Sequence, residues 1–547
     1  MGRLGSTVVL DTLEGNGSIR RNLKPHSMTR SRAFWIFLCL GLLLRVWNLP
    51  SPLVDAMSTR QAQTADAIRS LIEEPGFQLD SNASWRGTLP ARIVQELPVY
   101  NLMTQAVYEV IDFAGYPLAS PKPGGADPRL IDISGRLVSV AFWGLSFVLL
   151  QALWSRYLSP RETFWANGFV VFAPLSVFFG QALMPEMVFM AVTVGFVLSV
   201  LRYAESPTLF RFGLVVVLAA FGSVIKFPGF SHLGLLAAVL MWRAHGWKFV
   251  LRPIHWVGLA VILVVVKGWS GYITSVNTMY FPYWTSESSL KIFLGKPADR
   301  LSLSLYVSVA AYITAFVLSP FGVLLAGIGL FRAFRNRTTD AGVFVLLWCS
   351  SLVVYVLVWG PQTAGGQSYY NLPFLVPCAM LVAFGADWLV ERFKDRVSPA
   401  VVVPVLGLAM VVPMALTSAY LFREDRMFVV AAEWIKANVP EGEPAAVKFS
   451  HLPNLGDYMH MPMVPYYAGR RCFILAKGNP EYDRGLGEVR YIVETVADNP
   501  DQFRRLIRWI KGGADAPVEP FDEALSAGFV AEPMTASNLR IWTKAVH

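Results

Sequence analysis

Charge is scarce in this chain. Of its 547 residues, 16% are Asp, Glu, Lys or Arg, where soluble globular proteins carry about 25%. The shortage excludes the row of soluble domains that length alone would allow. With so many apolar residues present, a disordered chain is excluded as well. Cysteine is scarcer still: 4 residues rule out a disulfide-built scaffold. Cys39, Cys349 and Cys378 lie within apolar runs as small packing groups, and Cys472 alone lies in a polar stretch. There is no collagen-like or internal repeat, no phosphate-binding glycine loop and no nucleophile-elbow motif. What is abundant is apolar: 54% of residues are hydrophobic and the mean hydropathy is +0.45. A polytopic membrane protein remains, with membrane lipids as its surroundings. The net charge of +9 does not point to a nucleic-acid partner. The basic residues fall mainly between the apolar runs, where membrane insertion places them.

A hydrocarbon core about 30 Å thick needs roughly 20 apolar residues per helix. Eleven runs are candidate crossings: 33–49, 133–154, 163–180, 186–203, 209–225, 229–242, 253–271, 305–330, 341–359, 371–389 and 400–421. The first is read as an uncleaved helix rather than a signal peptide, because Arg45 and Trp47 follow it instead of a small-residue cleavage site. With a cytoplasmic N-terminus, every short inside loop carries Lys or Arg, from Arg156 and Arg161 to Arg392, Lys394 and Arg396. The outside turns 181–185 and 360–370 carry neither, which is the positive-inside bias. The expected layout is a basic cytoplasmic tail at 1–32, a mostly α membrane bundle at 33–422, and a small external α/β domain at 423–547. That last segment has helix-like stretches at 427–438 and 501–511 and strand-like runs at 445–449, 472–475 and 490–494. The short basic N-terminus and the lack of a long hydrophilic insert favour a bacterial inner membrane, with the C-terminal domain periplasmic.

The long outside loop, 50–132, carries two helix patterns. From Met57 onward, Met57, Thr64, Ile68, Leu71 and Ile72 share one side, which predicts a helix lying along the membrane surface. After Pro98, apolar Leu102, Met103, Ala106, Val107, Val110 and Ile111 oppose polar Asn101, Gln105, Glu109 and Asp112. Asp55, just past the first crossing, would stand where headgroups meet water. A carboxylate there could take a proton from an acceptor hydroxyl, or could simply cap the following helix; both uses are compatible. Glu96 precedes the second helix.

Further candidates lie at the outer ends of other crossings. Glu186, in Met184-Pro185-Glu186, is an ionisable group at a membrane edge, or a helix start favoured by the dipole. Lys226 follows the run 212–225 and could neutralise a lipid phosphate, or could snorkel from a helix end. Tyr369 and Tyr370 follow the Gly-rich turn 360–366 and offer hydroxyls and ring faces, or an interfacial belt. Asp55 with Glu96 or Glu186 could hold a divalent cation. His451 and His460, with Asp457, lack a ligand spacing, and metal-independent chemistry is expected.

These stretches resemble the GT-C superfamily of membrane glycosyltransferases, in particular the protein O-mannosyltransferase and aminoarabinose transferase (ArnT) group. The likeness spans roughly 30–425 in layout and is sharpest at 54–66, 94–101, 184–187 and 359–377. It implies Asp55 as the catalytic residue, and Arg60 and Lys226 with Tyr369 and Tyr370 beside the donor phosphate. It leaves Gln61, Glu96 and Glu186 to orient sugar or acceptor. Members often carry a His before the paired tyrosines, where this chain has Gln367-Ser368. The function so implied is inverting transfer of a sugar from a polyprenyl-phosphate carrier to a hydroxyl of a glycan, lipid or protein acceptor. The rival reading is a lipid-linked sugar flippase or secondary transporter. Against it, the charges gather at the outer edge rather than the midplane and no repeat is evident.

Overall fold

Prolines and polar interruptions in the apolar runs set where the helices begin and break. The computed structural model describes residues 32–544 apart from 75, 89–90, 116–124, 282–283, 365–366, 425, 450–461, 476–481, 496–528 and 532–538. Helix α1 (Arg32–Val46) leads into the first loop, which holds α2 (Ser58–Glu73), the two-residue strands β1 (Ser81–Asn82) and β2 (Arg92–Ile93), and α3 (Val99–Phe113). The bundle continues with α4 (Pro128–Tyr157), α5 (Pro160–Phe172), α6 (Pro174–Phe179), α7 (Glu186–Glu205), α8 (Leu209–His245), α9 (Pro253–Tyr280) and the short α10 (Ser286–Leu294). Then α11 (Leu303–Tyr312) passes through a π-helical turn into α12 (Ser319–Arg335), followed by α13 (Asp340–Thr363), α14 (Leu375–Phe393) and α15 (Pro399–Leu421). Five of these helices start on proline at the first turn, where the missing N–H costs nothing.

Among the described residues, 8 helices are long and apolar enough to cross a membrane; the chain is a multi-pass membrane protein. The difference from eleven expected runs has a physical origin. Helix α8 has 37 residues, about 55 Å at 1.5 Å per residue, nearly twice the hydrocarbon thickness. Its backbone leaves helical geometry at Lys226 (φ −154°, ψ 75°), just before Pro228, so the runs 209–225 and 229–242 are two helical segments joined end to end across a kink. The run 163–180 is split into α5 and α6 because Ala173, preceding Pro174, takes an extended ψ of 128°. Helix α1 has only 15 residues. Arg45 lies inside it, donating to the carbonyls of Gly41 (2.8 Å) and Ser176 (3.2 Å). Its guanidinium lies 3.7 Å from the Trp143 ring centroid, so the charge is satisfied within the bundle.

The two ends of the bundle differ. At one, Arg156 pairs with Glu205 (2.7 Å), and Arg161 and Arg332 converge on Asp387 (3.3 and 2.9 Å). At the other stand the first loop and the C-terminal domain. That domain contains α16 (Met427–Asn438), β3 (Ala445–Phe449), α17 (Met463–Ala468), β4 (Cys472–Ile474), α18 (Tyr482–Glu488), β5 (Tyr491–Thr495), β6 (Phe529–Ala531) and β7 (Leu539–Lys544). Its five-stranded sheet runs β4-β3-β5-β7-β6, parallel across β4-β3-β5 and antiparallel beyond. The expected stretch 501–511 and the His451, Asp457 and His460 group lie outside the described residues. The fold is thus a mostly α membrane bundle carrying a small α/β domain.

One expectation about the loop is corrected. Helix α2 does not lie on the surface with one face exposed: Gln61 to Asp66 and Ile68 to Leu71 are all buried. It is enclosed by α3, α4, β1 and α17. The loop is fastened on two sides. Ser84 and Gly87 exchange backbone bonds with Cys472 on the β4 edge (3.0 and 2.9 Å). Asn277 of α9 holds both the N–H and the C=O of Val94 (2.9 and 2.8 Å).

Candidate active site

Asp55 occupies an irregular stretch between α1 and α2, and every neighbour fixes it. The Gln61 side-chain amide donates to Asp55 Oδ1 at 2.6 Å, and the Met57 N–H reaches the same oxygen at 3.3 Å. Arg136 of α4 stands 4.0 Å from Oδ2. The Ala56 N–H donates to the Leu421 carbonyl. Met57, not Asp55, is the residue capping α2, and it makes no side-chain cap bond. Asp55 is buried, with 7% of its surface exposed. It therefore does not stand open to the headgroup layer, as the sequence led one to expect. Burial pushes its carboxyl up to about 6, against the opposing pull of Arg136, Met57 N–H and Gln61. A carboxylate poised there is a good proton acceptor near neutral pH.

A second group forms around the break in α8. The backbone leaves helical geometry at Lys226, and its side chain meets Glu186, the first residue of α7, in a buried ion pair. The ammonium lies 4.1 Å from the Tyr369 ring centroid and 5.9 Å from that of Tyr370, a cation–π arrangement. Tyr369 donates to Gln367 Oε1 at 2.6 Å, and Gln362 donates to the same atom. Arg60, on the first turn of α2, pairs with Glu96 at 2.7 Å and donates to Gln63 and Gln95. It lies within electrostatic range of Glu186 and Tyr369. Three buried polar atoms of the same neighbourhood, Glu186 Oε2, Ser368 Oγ and Asn371 Oδ1, have no hydrogen-bond partner, which is costly unless a polar ligand meets them.

The structure thus brings Arg60, Glu96, Glu186, Lys226, Tyr369 and Tyr370 together. It sets Asp55 and Gln61 on the adjoining side of the first turn of α2. Gln61 is not free to contact a ligand as expected: its amide spans from Asp55 to the Leu183 N–H (3.0 Å) in the turn before Glu186, so it couples the two groups. Nor are the two cations free, since each holds a carboxylate. Among the described residues no group of three or more His, Cys, Asp or Glu converges as a metal site. Asp55 is directed to Gln61 and Arg136.

Arg136 and Asp132 escaped the sequence reading. The signal was there: two ionisable residues four apart at the start of an apolar run, where a charge in a membrane segment is a functional candidate by default. Arg136 donates to the Asn48 carbonyl and reaches the Pro52 carbonyl at 3.4 Å.

No protein-family model and no curated protein sequence matches the chain. Several solved structures share its architecture, two of them of one protein. Crystalline ArnT from Cupriavidus metallidurans bound to undecaprenyl phosphate superposes with a TM-score of 0.58 at 14% identity, covering 94% of this chain and 98% of that one. The same protein in the apo state gives 0.51 at 12% identity, covering 93% and 97%. At such identity the likeness is one of fold, and it extends over the bundle and the C-terminal domain together.

Proposed function

We propose that the protein is an inverting glycosyltransferase that moves a sugar from a polyprenyl-phosphate carrier to a hydroxyl acceptor at the outer face of a bacterial inner membrane. The observation that carries this reading is the pairing of a buried, proton-accepting carboxylate with a two-cation, two-tyrosine cluster at the same end of the bundle. The ArnT fold, seen elsewhere with undecaprenyl phosphate bound, supports the choice of carrier. The side bearing the first loop and the C-terminal domain is external on this reading, because the Arg-rich loops gather at the opposite end.

Asp55 removes the proton of the acceptor hydroxyl as its oxygen attacks the anomeric carbon. The bond from that carbon to the phosphate oxygen breaks, its electron pair leaves with the polyprenyl phosphate, and one displacement inverts the centre. Lys226 and Arg60 stabilise the charge that builds on the departing phosphate. Tyr369 and Tyr370 hold the ammonium in place and flank the sugar. A small cleft beside Glu96, lined by Thr64, Asp80, Gln95 and Asn101, opens next to this cluster. Glycan, lipid and protein hydroxyls all satisfy this chemistry, and no metal is required by it.

The test uses purified protein with a polyprenyl-phosphate sugar and measures released polyprenyl phosphate. Acceptor-dependent release that Asp55→Asn abolishes, with the variant still folded, supports the reading. Movement of the intact lipid across vesicles without release would make the protein a flippase instead. Full activity of the Asn variant removes Asp55 from the mechanism.

A further inference from the structure

The C-terminal domain reaches the candidate base through two adjacent tyrosines of α17. Tyr467 donates its hydroxyl to Asp132 Oδ2 (2.8 Å) and accepts the Leu53 N–H (2.5 Å). Tyr466 lies 2.8 Å from Asp132 Oδ1 and 2.9 Å from the Pro128 carbonyl. All of these groups are buried or nearly so. One turn along α4 from Asp132, Arg136 holds the Asn48 and Pro52 carbonyls and faces Asp55. The irregular stretch 48–56 is therefore pinned at Asn48 and Pro52 by Arg136, at Leu53 by Tyr467, at Asp55 by Gln61 and at Ala56 by the Leu421 carbonyl. Four of these pins come from the membrane bundle or from the loop itself; the one at Leu53 comes from the C-terminal domain. A stretch without its own secondary structure has no internal ladder to hold it, so its side-chain direction depends on such points.

We propose that Tyr467 is a positioning residue for transfer: through Leu53 and Asp132 it fixes the stretch that presents Asp55, so the C-terminal domain takes part in catalysis rather than only in selecting acceptors. This rests on the glycosyl-transfer reading of Asp55. Tyr466 braces α4 at Asp132 and Pro128 without touching the stretch itself, and so serves as an internal control.

The experiment compares the full-length wild type with Tyr467→Phe, Tyr466→Phe and Asp55→Asn in the polyprenyl phosphate release assay. Loss of the Leu53 bond lets Asp55 drift by a fraction of an ångström to an ångström, and such a misplacement costs on the order of tenfold to a hundredfold in rate. The expected result is that fall in kcat for Tyr467→Phe, with KM for donor and acceptor within about twofold and Tyr466→Phe close to wild type. The groups facing Asp55 are Arg136 on α4, Gln61 on α2 and Glu424 after α15. A loosened stretch admits water, so the acidic limb of the rate profile moves to lower pH in Tyr467→Phe, a change that general destabilisation would not produce. Amide exchange at 53–56 rises in the same variant. If Tyr467→Phe does not fold, Asp132→Asn, which removes the carboxylate oxygen that orients the Tyr467 hydroxyl toward Leu53, must show a kcat loss in the same direction with KM little changed. Wild-type kcat and an unmoved pH limb in Tyr467→Phe, with Asp55→Asn inactive, overturn this inference and leave the proposed function standing. An active Asp55→Asn overturns the base assignment and this inference with it.

Discussion

Replacing Asp55 by Asn should stabilise the protein while it abolishes transfer. The magnitude follows from burial. The folded protein raises this carboxyl from its ordinary 3.8 to about 6. At 1.36 kcal/mol per decade, holding the ionised form in place costs about 3 kcal/mol at pH values above 6. The sign is fixed by linkage. The folded state binds the proton more tightly than the unfolded state, so Asp55 weakens stability as pH rises from about 4, and the loss is complete above about 6. Asn cannot ionise and keeps an oxygen for the Gln61 and Met57 donors, so it escapes this cost. In detergent, thermal midpoints of wild type and Asp55→Asn should differ by a few degrees in favour of the variant at pH 7.5. They should converge as the pH approaches 4. The variant should release no polyprenyl phosphate at any pH. A variant that melts below wild type at pH 7.5, by an amount independent of pH, would refute the argument, because the carboxylate would then be a structural anchor rather than a strained functional group.

Lys226→Met should leave Glu186 buried and unpaired and lower stability by about 3–5 kcal/mol. Adding Glu186→Gln should restore the thermal midpoint without restoring donor affinity, and recovery of both in the double variant would deny Lys226 a role in binding. Glu424 adds a small upward push to Asp55, so Glu424→Gln should move the acidic limb of the pH–rate profile slightly downward with the plateau unchanged; an upward move would contradict the electrostatics. Asn277→Ala strips both partners from the Val94 backbone, and two buried backbone groups left unmet cost about 2–3 kcal/mol or more, visible as a lower midpoint and faster amide exchange over the first loop. The kinetic consequence of Tyr467→Phe completes the set.

How much of this was legible in the sequence depends on the range of the interaction. Local patterns carried well: the stretch 427–438 is a helix and 445–449 a strand over the same residues, because three-to-four and alternating periodicities are set by near neighbours. The break at Lys226 could be sensed from Phe227-Pro228, but not its consequence, an ion pair with a residue forty positions earlier. The misreading of α2 has the same cause. Its polar residues off the apolar stripe, Gln63, Asp66 and Ser70, look like a solvent face in sequence. Each is instead buried, and Asp66, for example, accepts from the Ser84 N–H and from Arg69. A helix that is polar and buried cannot be told from one that is polar and wet by periodicity. Strands β6 and β7 were missed because their short apolar runs close a sheet edge only through β5.

On the proposed function, the charge arrangement also gives a reason for the base and the phosphate cluster to stand on adjoining sides of one helical turn. Arg60 and Lys226 are balanced by Glu96 and Glu186, so that cluster is close to neutral by itself. In the proposed transfer, the donor phosphodiester carries one negative charge at the start and Asp55 another. Afterwards Asp55 is protonated and the released phosphate monoester carries up to about two. The total is unchanged; what the reaction does is carry one negative charge from Asp55 to the phosphate. That displacement is downhill when the starting position is a poor place for charge and the end is a good one. Asp55 is such a start, since burial outweighs the attraction of Arg136. The neighbourhood of Lys226 and Arg60 is such an end, with two cations already desolvated and fixed by tyrosine rings and glutamine carbonyls. Merging the two would forfeit the gradient, because a cation close enough to stabilise the leaving phosphate would also acidify the base. Gln61, a neutral amide touching Asp55 at one end and the Glu186 turn at the other, joins them mechanically without joining them electrostatically.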